Sequence, residues 1–435
     1  MRTSRQIGSP RCTTRKRSRW FGECAILFAV CVFAIAAPAD SAQVLTLPEA
    51  VERALNFAPS ISVASANNDF TTARVGEFRA PFRPSINGIG EYYQAPGYQE
   101  VITNRGLTQL GVGLNYTAYD FGLRMARLRA ARYQRTAGTL GVRAAQAQIV
   151  FATTVAYFNL LRSREALNEF QKTTNQLNGF VGVIGQLKRT GKAISNNVLQ
   201  VRTARDSSAL ALAAGQQTVQ QAAIALGSLI GDFAPSNIQV QEITALPPLP
   251  GGKLSSNPKL MADKRVIDAA KASVKAAVAE RYPTLGIQLT AGFLGVDPPR
   301  TFSHEYGASY AGIVNVPIYE GGLITAHINE AHAQQMRAKA QLRLDELTLS
   351  TQLADATTRY KQALHQVDIL NRSQTTANDS FALYWTRFLG GGSATLLEVL
   401  TAYTQAETFR LTRIDQKFAA RQAAAQVALI YGEYR

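Results

Sequence analysis

Hydrophobic and polar positions alternate along Tyr306–Ile318. Tyr306, Ala308, Tyr310, Gly312, Val314, Val316 and Ile318 fall on one side of an extended chain. Gly307, Ser309, Ala311, Asn315 and Pro317 fall on the other, with Ile313 the one bulky residue among them. A period of two is the pattern of a β-strand with one apolar and one polar face. At Glu320-Gly321-Gly322 the alternation stops and an Ala/Gln-rich run at helical spacing begins. Two hundred residues earlier, Leu107–Tyr119 places Leu110, Val112, Leu114, Tyr116 and Ala118 on one face and Gln109, Gly111, Gly113, Asn115 and Thr117 on the other. It too ends in a glycine-bearing junction, Tyr119-Asp120-Phe121-Gly122-Leu123, which answers Tyr319-Glu320-Gly321-Gly322-Leu323.

The rest of the chain repeats around this junction. Leu47-Pro48-Glu49-Ala50 opens a helix, expected to run past Ala58-Pro59 toward Arg79. A strand pair over 84–94 and 107–119 follows. From Leu123 to about Lys188 no proline interrupts the helical spacing, which predicts a helix of about 65 residues, roughly 100 Å long. Thr190-Gly191-Lys192 breaks it, and a second helix runs from about Asn196 to Ile230. A Pro/Gly-rich linker over 246–256 separates this first unit, 43–245, from a second, 257–435. The second has strands over 283–295 and 306–318, a long helix from Thr325 to about Phe388 and a further helix from Thr395 to Tyr431. Pro84 answers Pro283 at an offset of 199, Gly122 answers Gly322 at 200, and Gly191 answers Gly392 at 201. Anchors at nearly one offset along the whole chain mark an internal duplication.

Composition changes the picture at the N-terminus. Seven Arg/Lys and one Glu lie within residues 1–39, so +6 of the net +16 belongs there. The basic stretch precedes the apolar run Ala25–Ala37 and a small-residue site at Ala37-Pro38-Ala39. A signal peptide over 1–42 is expected, cleaved between 39 and 42. Thirteen apolar residues fall short of the ~20 that span a bilayer. Cys12, Cys24 and Cys31 all lie in this leader, so the processed chain is expected to have no disulfide and no cysteine metal site. The remaining positive charge is scattered over helices without aromatic-flanked basic patches, which argues against nucleic-acid binding. No later run reaches eighteen apolar residues. A membrane contact would therefore have to be a β-barrel.

Four strands of about ten residues suit a bilayer crossing but cannot close a barrel. Open edges in lipid leave backbone groups unpaired, at several kcal/mol each. Copies must therefore assemble: three chains give 12 strands and two give eight. Two shorter helices of about 35 residues laid end to end match one long helix, so each chain supplies four helical rods, one for each strand. The fold expected is an internally duplicated α+β membrane protein, with four strands per chain joining a shared barrel that is continued by a long helical barrel.

The LTLPEAVERAL opening, the Pro84-Ser85-Ile86 and Pro283-Thr284-Leu285 strand starts, the two junctions, and the stretch Gly392 to Leu400 resemble the TolC-type outer-membrane efflux proteins. The resemblance covers about Leu45 to Gly432. It implies a homotrimer, with a 12-strand trimeric barrel in the outer membrane and a helical tunnel across the periplasm, without catalysis or cofactor, serving as exit duct for an inner-membrane pump through a periplasmic adaptor. It places the periplasmic tip and adaptor docking at Gly191, Ser195, Asn197, Val198 and Leu199, and at Gly392, Thr395, Leu397, Val399 and Leu400. It places the tunnel constriction at Glu398, Thr401 and Asn197. The family's acid six residues after each glycine is kept as Glu398 and replaced by Asn197. Its arginine two residues after the second glycine is Ala394 here, so the family's acid–arginine latch cannot form between Asn197 and Ala394. Three Glu398 carboxylates around a narrow opening would favour cations and raise one another's pKa; the plain alternative is a surface glutamate on a helix.

Enzyme chemistry has little support. His327 and His332 are five apart on one helix, the wrong spacing for a metal pair, and Gly390-Gly391-Gly392 is not a phosphate loop. The competing class is a periplasmic coiled-coil adaptor without a pore, which would share the export signal and the long helices.

Overall fold

The computed structural model describes residues 44–94, 106–232, 238–243, 245–295, 306–390 and 393–433. The strands are β1 (Val44–Leu45), β2 (Ser85–Gln94), β3 (Gly106–Tyr119), β4 (Gln239–Val240), β5 (Thr284–Gly295) and β6 (Tyr306–Asn315). The helices are α1 (Leu47–Phe57), α2 (Pro59–Arg79), α3 (Leu123–Arg189), α4 (Ser195–Ile230), α5 (Pro258–Ala279), α6 (Leu323–Leu389) and α7 (Leu396–Tyr431). The long helices α3 and α6 have 67 residues each, and α4 and α7 have 36 each.

Three boundaries differ from the sequence expectation. The helix opening at Leu47 breaks at Ala58, where φ −59° and ψ 113° leave the helical region. The cause is Pro59, whose ring disfavours helical backbone at the preceding residue. Strand β6 ends at Asn315 rather than at 318, because Pro317 has no N–H for a ladder. Helices α2 and α5 have 21 and 22 residues, not about 35. In the first half the missing length is α1, which turns aside to pack on α3 and α4.

Four strands form one antiparallel sheet in the order β2-β3-β5-β6. Asn115 pairs with Ser85 on one side and Gln288 on the other, keeping the polar residues on a common face. Tyr116 lies opposite Ile287 on the apolar face. The apolar face is open: Ile86, Leu110, Val112, Ile287, Phe293, Tyr310 and Val314 are all exposed. β2 and β6 are free edges of this sheet.

The helices repeat the order of the strands. α5 and α7 both lie between α3 and α6, while α2 and α4 take the other flank of α3. The wall therefore has four rods: α2 then α4, α3, α5 then α7, and α6. Because α2 leads into β2, β3 into α3, α5 into β5 and β6 into α6, each rod continues one strand. Glu280, at the C-cap of α5, ties the three neighbouring rods together. It takes Arg127 of α3 at 2.7 Å and His327 of α6 at 3.0 Å. These two partners are equivalent residues of the two halves.

The strand-to-helix junctions share one backbone. Gly122 and Gly322 cap α3 and α6 at φ 89° and 87°, in the left-handed region that glycine enters without cost. Their predecessors, Phe121 and Gly321, also have positive φ, 50° and 60°. In the first junction Asp120 accepts from the amides of Gly122 and Arg124, at 3.2 and 2.8 Å, and from Arg124 Nε at 2.8 Å. Glu320 is exposed in the second.

Midway along the rods the core thickens into a girdle. Tyr157, Phe158, Leu160 and Leu161 of α3 pack with Ala50 and Ala54 of α1, Leu226 and Ile230 of α4, and Ile414 and Phe418 of α7. By composition α3 contains a stretch apolar enough to cross a membrane, 39% of which is buried within the fold. β1 and β4 pair in parallel beside it. The Tyr157 hydroxyl lies 3.0 Å from the Leu45 carbonyl and 2.9 Å from that of Gln241, holding both strands. The linker and the segment just before it are strapped down as well. The Tyr360 hydroxyl donates to the Pro247 carbonyl at 2.9 Å, and the buried Arg421 side chain donates to the Ile243 carbonyl.

Candidate functional site

The ends of the rods farthest from the sheet are two helix-to-helix turns. In the first, Gly191 at φ 76° ends α3 in a left-handed cap. The amides of Lys192 and Ala193 both donate to the Leu187 carbonyl, at 2.8 and 3.2 Å, satisfying a carbonyl the helix end would leave free. α4 then starts at Ser195 without a side-chain cap, because the residue before it is Ile194, itself exposed. Ser195 and Leu199 are exposed, Asn197 is half-buried and Val198 is buried.

The second turn is capped. Thr395 and Glu398 form a complete capping box at the start of α7. The Thr395 amide and hydroxyl donate to Glu398 Oε2 at 2.7 and 2.9 Å, and the Glu398 amide donates to Thr395 Oγ1 at 3.3 Å. The backbone N–H of Thr395, then its hydroxyl, hold the Glu398 carboxyl below the ordinary glutamate range. This pull opposes the upward shift that a ring of like charges would exert. Gly392 lies outside the described residues. Val399 and Leu400 are buried, whereas Leu397, Glu398 and Thr401 are exposed.

The structure brings Glu398 and Thr401 into one groove of about 650 Å³ between α6 and α7, with Arg372, Tyr384 and Gln405. Asn197 is on the other turn and does not line it. Arg372 is paired with Asp368 at 3.0 Å, and Glu398 with Thr395. The groove thus offers one acid, one base and hydroxyls, with both charges already engaged.

Behind the turns lies a cluster that the sequence reading missed. Phe180 of α3 stacks on Trp385 of α6 at 4.5 Å and meets Tyr403 of α7 edge-on at 5.6 Å. Phe381 joins both, and Ile184, Val201, Leu396 and Leu400 complete the packing. It locks the α3/α4 hairpin to the α6/α7 hairpin. The signal was present: Phe381, Trp385 and Phe388 recur at helical spacing and answer Phe180, Ile184 and Leu187 of the first half. Above it is a buried acid. Glu407 is held by Arg410 at 3.2 Å, and Arg410 donates to Asn378 of α6 at 3.0 Å. Burial raises the Glu407 pKa, with Arg410 working against that shift.

A sequence model of the family described as "Outer membrane efflux protein" matches residues 50–232 and again 249–433. Outer membrane efflux protein BepC of Brucella suis biovar 1 is 23% identical over 301 residues, 68% of this chain and 66% of that protein. Outer membrane protein TolC of Escherichia coli K12 is 20% identical over 368 residues, 80% of this chain and 74% of that protein. The matched region spans about two thirds of the curated relatives' own length, 66% of BepC and 63% of TtgC from Pseudomonas putida. Among solved structures, VceC of Vibrio cholerae superimposes with a TM-score of 0.80 at 20% identity, covering 89% of this chain and 96% of that one. The CmeC outer membrane channel of Campylobacter jejuni does so with 0.80 at 17% identity, covering 89% and 86%.

Proposed function

Since the chain belongs to the outer membrane efflux protein family, whose place is the outer membrane of Gram-negative bacteria, we propose that it is the exit duct of a tripartite efflux or type I secretion system. Three chains close a 12-strand barrel, and their twelve rods continue it as a tunnel across the periplasm. The chain is a duplicated unit, 43–245 and 257–435, joined by the linker 246–256 and exported by a signal peptide over 1–42. The observation that carries this reading is the shared order of strands and rods in an open-edged wall. Such a sheet can be completed only by further copies.

The tip residues take roles in this assembly. Gly191, Ser195, Asn197, Val198, Leu199, Gly392, Thr395, Leu397, Val399 and Leu400 form or support the surface that a periplasmic adaptor grips. Glu398, Thr401 and Asn197 are the constriction. The first experiment is single-channel recording of the purified protein in planar bilayers, with gel migration before and after boiling. A heat-dissociable oligomer with discrete conductance is expected; a water-soluble monomer that never conducts ends the proposal. Glu398→Gln should reduce cation preference, and an unchanged reversal potential removes Glu398 from the narrow point. Gly191→Asp should abolish pump-dependent export while oligomers still form. Normal export by that variant discards the docking assignment.

A further inference from the structure

Two grooves flank the seam between α2 and α3. One is lined by Phe78, Arg127, Ala131 and Gln134. Phe78 and Arg127 also border a cavity of about 1120 Å³ whose far wall is the polar face of the sheet, with Asn115, Thr117, Gln288 and Asn315. This groove therefore continues the polar side of the wall. The other groove, of about 560 Å³, is lined by Val75, Arg79, Arg132, Arg135, Thr136 and Thr139. Arg132, Thr136 and Thr139 follow Met125 and Arg129 at helical spacing, turned away from the Arg127–Gln134 side of α3. The second groove thus opens on the side that continues the apolar face. Arg79, in the last turn of α2, reaches the rim of the cavity as well.

The charge of this second groove is uncompensated. No acid lines it. Among the described residues, Arg79, Arg132 and Arg135 have no carboxylate partner, whereas Arg124 and Arg127 close by are paired with Asp120 and Glu280. The Thr139 hydroxyl donates to Asn68 Oδ1 and that of Thr136 to the Arg132 carbonyl, so neither offsets the arginines. Three guanidiniums sharing one groove repel one another unless an anion with several acceptor oxygens joins them; phosphate suits their forked donors.

The height of the groove points to the source of that phosphate. An aromatic band marks the base of the sheet. Tyr119 meets Phe121 edge-on at 4.8 Å, Phe121 stacks on Tyr282 at 5.4 Å, and all three are exposed. Bands of this kind sit at the membrane–water boundary. Arg79 is six residues before the start of β2. Arg132 is nine residues into α3, about 14 Å below the junction, and arginine stems reach back toward the boundary. We propose that this groove holds the phosphate headgroup of an anionic phospholipid from the inner leaflet of the outer membrane. The inference rests on the sheet spanning that membrane and is independent of adaptor docking at the tip.

The test is native mass spectrometry of the protein purified in detergent and titrated with cardiolipin, comparing wild type with R79Q/R132Q/R135Q. Each basic residue near an anionic surface strengthens attraction about five-fold, so the triple variant should bind on the order of a hundred-fold more weakly. The exposed pair R343Q/R359Q serves as control and should leave binding unchanged. Planar-bilayer conductance of the triple variant, expected to persist, separates lipid binding from channel assembly. Equal cardiolipin binding by wild type and triple variant overturns the proposal. So does wild-type uptake of inorganic phosphate as tight as that of cardiolipin, which would make the groove a free-anion site.

Discussion

The two halves of the chain spend their polar side chains at opposite ends. At the strand-to-helix junction the first half has Asp120, buried and holding three donors, with Arg124 locked beneath it. The second half has Glu320 and Ile324 there, and the turn relies on Gly321 and Gly322 alone. At the far turns the roles are exchanged. The second half carries the Thr395–Glu398 box, and the first has Ile194 and Asn197 with no side-chain cap. The backbone is nearly the same where the pairs can be matched: Gly122 and Gly322 have φ 89° and 87°, and Ile194 and Thr395 both have φ −90° with ψ 162° and 156°. A repeated fold therefore fixes where a cap is needed and leaves open whether a side chain or a glycine supplies it.

The largest effect should come from Asp120→Ala. It removes three hydrogen bonds and leaves Arg124 largely buried without its partner, a loss of roughly 3 kcal/mol. Glu320→Ala should cost less than about 0.5 kcal/mol. Hydrogen exchange of the amides at 122–126 and 322–326 reads both. Equal protection loss at the two junctions would erase the contrast between them.

Next is the tip. Thr395→Ala should cost about 1 kcal/mol, seen as faster exchange over 396–400. Installing Ile194→Thr with Asn197→Glu should gain up to about 1 kcal/mol in the first turn. A double variant no better protected than wild type would mean that the first turn is held by Gly191 and Val198 rather than by caps.

The same turns should differ in acid. The Glu398 carboxyl is held below its ordinary value of 4.5. Its contribution is complete above that value and is lost as pH falls through the lower folded value. Exchange over 396–400 should therefore accelerate as pH falls through that lower value, after correction for intrinsic rates. Residues 195–199 should not follow, and Thr395→Ala should remove the response. The smallest effect is expected at Phe121→Gly. Relief of the left-handed backbone, about 1 kcal/mol, is offset by the lost stacking on Tyr282, worth about as much, so stability should change by less than about 0.5 kcal/mol.

How far these features could be read in advance depends on their range. The period of two over 107–119 and 306–318 set the strands and their faces, and unbroken helical spacing set α3 and α6. The break at Ala58 was written in Pro59 but was overridden by the apolar periodicity around it. The capping box at Thr395 is a four-residue motif and was legible as such. It was instead read as a constriction acid, because one glutamate can serve both ends. Phe180 and Trp385 lie on different hairpins, and no local pattern pairs residues that distant. Arg79, Arg132 and Arg135 looked scattered along the chain and gather only when α2 lies back along α3.

The straps around the girdle have a consequence for how such a chain could have arisen. Val44–Leu45 pairs with Gln239–Val240, and the Asn257 side-chain Nδ2 donates to the Ile430 carbonyl at 3.0 Å. Each half is thus knotted to its own beginning and end. A half-length ancestor would have had its ends already secured, and fusing two such genes would have required only a tether to cross between neighbours.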